Sequence, residues 1–406
     1  MKIIGLTAEY NPFHRGHAYQ LCQIRKQFGK DCAIIVVLSG NFVQRGEPAL
    51  FEAHTRAEAA LRCGADLVLE LPLSFATASA QGFAFGAVSV LDALGCVDEL
   101  VFGSECASLE ALSDVSALLS RPEYPPLLKE ALSAGIGFAA ARQAAAERLA
   151  GAELPLLRSR NDILGIAYLE ALNTLHSSMH PCPLPRCASF PPASALRARQ
   201  DFFAELPEVA AERFLLDMNA GKGPVRMSGL ELALLSRLRF LPEQAWHSLP
   251  DSSEGLENRL FRAAQSAGSW EELVRICTTK RYPAARVRRM LLSAALGVTA
   301  DMASTPPEYL RVLALNRRGA SVLHAASPSL PVITRTGAGK RFPMLRMEAA
   351  AYGLYSLGFA PEQRNAGEFW KYPVYCETEP ASDAKQPKKS PPNLTPDSCT
   401  AQHDDG

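Results

Sequence analysis

Several features that would announce a class of protein are missing from this chain of 406 residues. Its 42 Lys and Arg balance its 42 Asp and Glu, so a nucleic-acid partner would need a local basic surface. No apolar run approaches the roughly 18 residues that a membrane span needs. No basic and apolar leader precedes the first predicted strand, so we expect no secretory signal and a cytoplasmic location.

The ten cysteines are scattered along the chain and form no C-x-x-C pair. Cys182 and Cys187 lie five residues apart, without a second pair or the histidines that would complete a zinc site. We therefore expect reduced thiols and no dedicated metal site. The chain is too long for one ordinary core, so we expect two domains and a tail.

The order of apolar runs predicts an α/β domain over residues 1–200. Short apolar strands alternate with helical stretches, which is typical of a doubly wound parallel sheet with helices on both faces. Such sheets bind ligands at the carboxyl ends of their strands. The predicted strands are 2–7, 33–38, 67–71, 99–102 and 183–186, and the predicted helices are 16–28, 52–63, 79–94, 109–119, 127–149 and 161–172.

Helical segments dominate the chain from residue 201 onward. They predict a second, mainly helical domain over residues 201–376, with no strand before 331–334. From residue 377 to 406 the sequence is polar and rich in proline, lysine and aspartate, so we expect a disordered tail. The predicted helices of the second domain are 207–215, 228–240, 255–267, 269–277, 284–296 and 307–315.

Two histidines flank a glycine directly after the first predicted strand. The segment His14-Arg15-Gly16-His17 stands where a helix should begin, and a helix N-terminus offers unpaired N–H groups to the phosphates of a nucleotide. Adenylyl transfer adds negative charge around phosphorus, which positioned imidazoles stabilise. The H-x-G-H pattern therefore predicts ATP chemistry at the α-phosphate. The alternative is a pair of solvent-exposed histidines at a helix start.

Two further loops follow predicted strands and are rich in glycine and polar residues. Residues 39–48, SGNFVQRGEP, suit a small acid or a phosphate, although an ordinary surface loop would look similar. Residues 103–105, GSE, form a tight turn that suits a nucleotide sugar or base. The alternative there is a plain turn at the end of a strand.

Two segments carry candidate phosphate-binding arginines. Ser194, Arg197 and Arg199 follow the last predicted strand and suit the β- and γ-phosphates, unless the arginines are simply solvated. Residues 280–289, KRYPAARVRR, contain no acid and one aromatic, which is typical of RNA backbone contact. A solvated helix face would have the same composition.

Taken together, these motifs resemble the bacterial tRNA(Met) cytidine acetate ligase family. The likeness runs in family order from residue 5 to about residue 319, with a weaker EFWKYPVY near the C-terminus. The matching stretches are GLTAEYNPFHRGH, SGNFVQRGEPA, LVLELP, FGSE, SRNDILGIAYLEAL, ASALRAR, GLENRL, TKRYPAARVRR and YLRVLALNRRG.

The resemblance implies an ATP-dependent ligase. Family members convert acetate and ATP to acetyl-adenylate, and then acetylate the wobble cytidine of elongator tRNA(Met) to N(4)-acetylcytidine. The implied partners are ATP with Mg²⁺, acetate and elongator tRNA(Met), with no DNA and no membrane. The second domain would support the tRNA.

The H-x-G-H motif gives His14 and His17 as the catalytic pair, and the likeness adds the residues that contact ATP. The implied ATP contacts are Thr7, Ala8, Glu9, Tyr10, Asn11, Pro12, Phe13, His14, Arg15, Gly16, His17, Ala18, Tyr19, Gln20, Gly103, Asn161 and Arg186. The loop and basic-run motifs, and not the likeness, give the acetate candidates Ser39 and Asn41 and the tRNA candidates Lys280, Arg281, Arg286, Arg288 and Arg289.

The chain departs from the family directly after Arg186. Family members continue with a Gly-Ala-x-Tyr-His segment, whereas this chain has only residues 187–192 before the Ser-Ala helix start. Two alternatives stay open: a small-molecule adenylyltransferase of the H-x-G-H class, and a non-catalytic RNA-binding protein that keeps the fold. The short loop favours the second alternative, while intact His14 and His17 and the additional helical half favour the ligase.

Overall fold

The apolar runs of the first half of the chain form the centre of one large sheet. The computed structural model describes residues 1–187, 189–199, 201–252, 255–334, 337 and 341–377. The strands are β1 (Ile3–Ala8), β2 (Ala33–Ser39), β3 (Phe42–Val43), β4 (Glu47–Pro48), β5 (Leu67–Leu71), β6 (Glu99–Ser104), β7 (His180–Pro185), β8 (Leu310–Asn316), β9 (Val332–Ile333) and β10 (Val374–Cys376).

The order of the strands places a topological switch point beside β1. The sheet runs β10-β8-β5-β2-β1-β6-β7, with β9 paired to β8 and with β3 and β4 as a separate hairpin. From β1 the chain first builds outward through β2 and β5, and later through β6 and β7 on the other side. In such sheets ligands bind beyond the carboxyl ends of the strands where this direction changes. The expected site therefore lies between the ends of β1 and β6.

Helices cover the sheet and form a separate cluster beyond it. The helices are α1 (Arg15–Phe28), α2 (Ala53–Arg62), α3 (Leu73–Ala76), α4 (Ala80–Ala93), α5 (Leu109–Leu119), α6 (Tyr124–Ser133), α7 (Phe138–Ala150), α8 (Arg160–Leu175), α9 (Ala193–Ala198), α10 (Glu208–Asn219), α11 (Met227–Phe240), α12 (Glu243–His247), α13 (Leu256–Ser266), α14 (Trp270–Cys277), α15 (Ala284–Leu296), α16 (Ala300–Ser304), α17 (Arg317–Ala325) and α18 (Pro343–Tyr355). In the part of the chain that is described, none of them is long and apolar enough to cross a membrane.

Strand β2 shows why helices are needed on both faces of the sheet. All seven of its residues are buried, as expected of a central parallel strand. Ile35 and Val37 belong to the core beneath α4 and α8, whereas Ile34 and Val36 belong to the core beneath α1 and α2. A third core lies within the helical cluster, around Leu234, Trp246 and Leu291. The predicted α/β sheet with helices on both faces is confirmed.

The second half of the chain contributes two strands that the sequence did not reveal, β8 and β10, and one that it did, because β9 lies within the predicted strand at 331–334. The predicted helix over residues 307–315 is wrong, because Leu310–Asn316 forms β8, which runs antiparallel to β5 and makes the sheet mixed. A short run that is mostly apolar fits a buried strand and a buried helix equally well. Strands β8, β9 and β10 all lie beyond residue 200, so the sheet takes strands from both sides of the predicted domain boundary.

Two other expectations concern helix continuity and the tail. The predicted helix over 127–149 is divided into α6 and α7, because the chain turns at Gly135 with a φ of 75°. That left-handed conformation suits glycine and ends α6.

The predicted disordered tail over 377–406 lies, apart from its first residue, outside the described residues.

Candidate active site

His14 and His17 face each other at the start of α1, directly beyond β1. The Nδ1 of His14 accepts a hydrogen bond from the backbone N–H of Gly16 at 3.0 Å, and the Nδ1 of His17 accepts one from the backbone N–H of His14 at 3.2 Å. The two ring centroids are 3.8 Å apart. Because each Nδ1 acts as an acceptor, these bonds assign the proton of each neutral ring to Nε2. Each imidazole therefore keeps one N–H donor for a ligand.

The surroundings of the two rings keep both of them neutral. Burial, and next the positive charge of Arg186, lower the pKa of His14 to about 4. Burial, His14 and Arg186 together lower the pKa of His17 well below its usual value. Neutral rings can pack against each other, here with an interplanar angle of 35°, and still donate to phosphate oxygens. An anion bound against them would raise both pKa values, because it stabilises the protonated form.

The turn between β1 and α1 holds the histidines in place. Tyr10 has a positive φ of 46°, and its ring centroid lies 4.7 Å from that of Phe13 and 4.8 Å from that of His17. The side-chain oxygen of Asn11 accepts a hydrogen bond from the backbone N–H of Leu50 at 2.9 Å. Tyr10, Asn11 and Phe13 are all buried, so these predicted ATP contacts form the support beneath the pair.

The remaining residues of the predicted ATP segment line the same edge of the sheet. The hydroxyl of Thr7 shares a hydrogen bond with that of Tyr168. Glu9 Oε1 accepts a hydrogen bond from the backbone N–H of Gln44 at 3.0 Å, and burial raises the pKa of Glu9. Of the others, Pro12 is buried, Ala8, Ala18 and Gln20 are half-buried, and Arg15 is exposed.

Three predicted ATP residues from distant segments meet at the end of β6. Asn161 Nδ2 donates to Glu105 Oε1 at 2.6 Å, and Arg186 Nη1 lies 3.6 Å from the same oxygen. A Cβ added at Gly103 would lie 3.4 Å from Cγ of Arg186. Glu105, which the sequence placed only in a turn, therefore joins Gly103, Asn161 and Arg186 into one cluster.

Asp162 is a residue of this cluster that sequence reasoning missed. It is 2% exposed, and its Oδ1 accepts hydrogen bonds from Ser104 Oγ at 2.6 Å and from the backbone N–H of Glu105 at 2.9 Å. The carboxylate thus fixes the turn after β6 to the first turn of α8. The only signal in the sequence was an acid beside Asn161, and nothing in the pattern showed its partners.

Arg56 is the second residue that the sequence did not reveal. Its guanidinium is completely buried and donates to the backbone carbonyls of Phe51 at 2.8 Å and of Ser39 at 3.0 Å, and also to those of Glu9 and Gly40. Burial lowers the pKa of this arginine to about 10, so it stays charged at neutral pH. One cation therefore ties together the loops that follow β1 and β2.

The two acetate candidates occupy different environments. Ser39 is fully buried at the end of β2, and its Oγ has no hydrogen-bond partner. Asn41 Oδ1 accepts a hydrogen bond from the backbone N–H of Ala53 at 2.8 Å and thus satisfies the start of α2. Ser39 keeps a hydroxyl for a ligand, whereas the side-chain oxygen of Asn41 already has a structural partner.

Comparisons with known proteins agree with this arrangement. Residues 1–368 match the model of the HIGH Nucleotidyl Transferase family. The tRNA(Met) cytidine acetate ligase of Acetivibrio thermocellus is 37% identical over 367 residues, which cover 82% of this chain and 88% of that protein. This chain belongs to the tRNA(Met) cytidine acetate ligase family. The family that the motifs predicted is thereby confirmed.

Two further similarities extend over nearly the whole chain. The tRNA(Met) cytidine acetate ligase of Thermotoga maritima is 33% identical over 417 residues, which cover 91% of this chain and all (100%) of that protein. A crystal structure of Thermotoga maritima TmcAL bound with alpha-thio ATP superimposes with a TM-score of 0.86 at 34% identity. It covers 93% of this chain and 100% of the other.

Phe190, in the segment that follows Arg186, lies near the start of α1. A Cβ added at Gly16 would lie 3.1 Å from Cβ of Phe190, and the rings of Tyr19 and Phe190 are 5.6 Å apart. An aromatic side chain therefore lies beside Gly16 and Tyr19, at the start of α1. Arg186 itself lies in the cluster around Glu105.

The predicted phosphate-binding arginines after β7 have different partners. Arg197 is buried, donates to the backbone carbonyl of Asn11 at 2.9 Å and lies 3.6 Å from Glu47. Arg199 is exposed and lies 3.8 Å from Glu205. Arg197 therefore supports the turn before α1, and Arg199 faces a carboxylate at the surface.

The basic run of the ligase family lies against the loop of residues 39–48. A Cβ added at Gly46, which has a φ of 75°, would lie 2.7 Å from the carbonyl carbon of Arg288. Arg286 donates to the backbone carbonyl of Asp251 at 2.9 Å, and Arg289 lies 3.9 Å from the carboxylate of the same residue. Helix α15 is therefore packed beside the candidate acid loop.

The start of the basic run contacts a second part of the sheet domain. A Cβ added at Gly137, just before α7, would lie 3.1 Å from the carbonyl oxygen of Lys280 and 3.4 Å from that of Arg281. The Lys280 side chain is exposed. The basic run thus contacts the sheet domain at two places, near Gly46 and near Gly137. Its role in binding tRNA remains a prediction.

Proposed function

We propose that this protein is an ATP-dependent ligase that acetylates the wobble cytidine of elongator tRNA(Met) to N(4)-acetylcytidine, with acetate as the acetyl source. The observation that carries the proposal is the neutral pair of His14 and His17 at the switch point of the sheet. It occurs in a chain similar over nearly its full length to proteins named tRNA(Met) cytidine acetate ligase. With tRNA as substrate, the protein would act in the cytoplasm.

The histidine pair explains the first half-reaction. An acetate oxygen attacks the α-phosphorus of ATP, the bond to the β-phosphate oxygen breaks, and pyrophosphate leaves acetyl-adenylate behind. Negative charge grows on the α-phosphoryl oxygens during this step. The Nε2–H groups of His14 and His17 are held in place beforehand by their Nδ1 bonds, so they stabilise that charge without reorganisation.

The second half-reaction transfers the acetyl group to RNA. The exocyclic N4 of cytidine attacks the carbonyl carbon of acetyl-adenylate, AMP leaves, and N4 loses a proton. The unpartnered hydroxyl of Ser39 is our candidate donor to the acyl group. The cations of α15 flank the same loop and are our candidates for the RNA backbone.

Magnesium is expected to enter with ATP on its phosphates. Among the residues that the structure describes, no group of three or more His, Cys, Asp or Glu could hold a metal ion. We therefore assign no residue of this chain to the metal.

The proposal is tested by incubating the purified protein with ATP, labelled acetate and an elongator tRNA(Met) transcript. We expect ATP-dependent label in N(4)-acetylcytidine, and a loss of at least about 100-fold in the His17→Ala variant. His324→Ala is a matched control, because His324 is an exposed histidine on α17, away from the site. Label that persists in a folded His17→Ala variant would refute the role of the pair. If the wild-type protein gave no RNA label and also no acetate-dependent ATP–pyrophosphate exchange, the result would favour the catalytically silent RNA-binding alternative.

A further inference from the structure

A polar cavity of about 230 Å³ lies between the carboxyl edge of the sheet and the helical cluster. We call it the α3–α15 cavity, because the corner between α3 and α4 faces α15 across it. Its charged groups come from Asp251 and Arg289, and its hydroxyl groups from Ser74, Thr77, Ser79, Ser293 and Ser304. The fold therefore leaves a space with polar side chains where two parts of the chain meet.

Two hydrogen-bond donors in this wall have no partner. Ser74 is 2% exposed, and its Oγ makes no hydrogen bond. The Nε of Arg289 is also buried without a partner, and the guanidinium only approaches Asp251 Oδ2, at 3.9 Å. Buried polar groups are normally paired, and unpaired ones are costly. A ligand with acceptor atoms would satisfy both donors.

Size and charge restrict the chemistry of that ligand. The cavity is smaller than the roughly 300–1,000 Å³ typical of sites for drug-sized molecules. Its donors stand beside the carboxylate of Asp251, which would repel a phosphate but would accept a hydrogen bond from an amino group. Cytosine carries an amino group next to two acceptor atoms, N3 and O2, on one edge, and adenine carries one between the acceptor atoms N1 and N7, so both bases match this combination.

We propose that the α3–α15 cavity binds one amino-bearing base of the tRNA, other than the cytidine that is acetylated. Asp251 would accept from the amino group, while Ser74 and Arg289 would donate to the acceptor atoms of the same base. This inference rests on the proposed function, since it requires an RNA substrate. Helix α15 supports it, because one helix lines the cavity, carries the basic run and packs against Gly46 in the acid loop.

The first test removes the unpartnered hydroxyl. Because Ser74 Oγ has no bond in the free protein, Ser74→Ala should not lower thermal stability, and it should leave acetate-dependent ATP–pyrophosphate exchange unchanged. We expect it to weaken binding of an elongator tRNA(Met) anticodon stem-loop by about five- to tenfold. Ser116→Ala is the matched control, because Ser116 is also 2% exposed and unpartnered but lines a different cavity, between α5 and α8. Equal affinity of the Ser74→Ala and Ser116→Ala variants would overturn the inference.

The second test asks whether the cavity distinguishes bases. Asp251 has a φ of 60°, a conformation that asparagine tolerates, so Asp251→Asn preserves the backbone while it replaces an acceptor by an amide. Each base of the anticodon loop is changed in turn, and its effect on binding is measured with both proteins. If the effects of Asp251→Asn and of the base change on the binding free energy are non-additive at one cytosine or adenine position, the inference is supported. If they are additive at every position, it is overturned.

Two further outcomes have separate meanings. Asp251→Asn could instead weaken RNA binding equally for every base change, and reduce the slope of log affinity against log salt concentration by about one. That outcome would indicate a phosphate contact and would overturn the base-binding inference. Absence of acetate-dependent exchange in the unaltered protein would instead count against the proposed function. The exchange reaction contains no RNA, so the two failures are distinguishable.

Discussion

Asn161 Nδ2 donates a hydrogen bond of 2.6 Å to Glu105 Oε1, across the carboxyl ends of the strands that bind the nucleotide in this class of fold. Arg186 approaches the same carboxylate oxygen at 3.6 Å. One acid therefore holds two of the predicted ATP contacts, and the positions of both side chains depend on it.

The Glu105→Ala variant should lose this preorganisation. Asn161 and Arg186 would each gain rotational freedom, so we expect the KM for ATP to rise by at least about tenfold while kcat changes less. The ATP dependence of acetate-dependent pyrophosphate exchange measures both constants. Glu147→Ala is a control, because Glu147 also pairs with an arginine, Arg158, but lies on α7. An unchanged KM in Glu105→Ala would show that the cluster does not order the nucleotide contacts.

The histidine pair should make the stability of the free protein depend on pH. Burial lowers the pKa of His14 to about 4, so between its ordinary value of 6.5 and 4 the unfolded chain binds more protons than the folded one. The free energy of unfolding is therefore at its full value above about pH 6.5, as far as His14 is concerned, and it falls as the pH drops toward 4. From His14 alone we expect a loss of about 2 kcal/mol between pH 7 and pH 5.

Urea unfolding of the wild-type protein and of a His14→Gln variant at the two pH values measures this difference. Glutamine does not titrate, so the variant should lose less stability on acidification. An equal loss in both proteins would mean that His14 is not the group responsible. Bound ATP should reduce the pH dependence, because an anion beside the rings raises their pKa.

Arg56 should contribute to stability and to the geometry of the site together. Replacement by methionine removes the donor from four buried carbonyl groups, so we expect a loss of about 3 kcal/mol or more in the free energy of unfolding. Arg56→Lys should be intermediate, because an ammonium lacks the planar fork that reaches several carbonyls. Arg148→Met is the control, since the side chain of Arg148 is 62% exposed. Equal melting temperatures for Arg56→Met and Arg148→Met would contradict this role.

The placement of the motifs was predictable, whereas the contacts between them were not. Residues 14–17 and 103–105 follow apolar strands, and the carboxyl ends of neighbouring parallel strands necessarily meet at one edge. The bond between Asn161 and Glu105 joins positions 56 residues apart, and a single sequence carries no record of such pairing. Arg56 was missed for a related reason, because its partners are backbone carbonyls with no sequence signature. Strand β8 was missed because its short apolar run lacks a diagnostic period.

Gly46 should couple the candidate acid loop to the basic helix. Its φ of 75° is unfavourable for other residues, and a Cβ there would lie 2.7 Å from the backbone of Arg288. Gly46→Ala should therefore push the loop of residues 39–48 away from α15. We expect acetyl transfer to tRNA to fall more than acetate-dependent pyrophosphate exchange, because only the second step would need the loop aligned with the helix that we propose binds RNA.

Gly151→Ala separates this steric effect from backbone strain. Gly151 has a similar φ of 67°, but a Cβ there would meet nothing within 4 Å. Both variants should lose about 1 kcal/mol of stability from the left-handed conformation, and only Gly46→Ala should change the ratio of the two activities. If Gly151→Ala changed that ratio equally, strain alone would explain the effect. If neither variant changed it, α15 and the loop would act independently, and the basic run would bind RNA without aligning it with the acyl group.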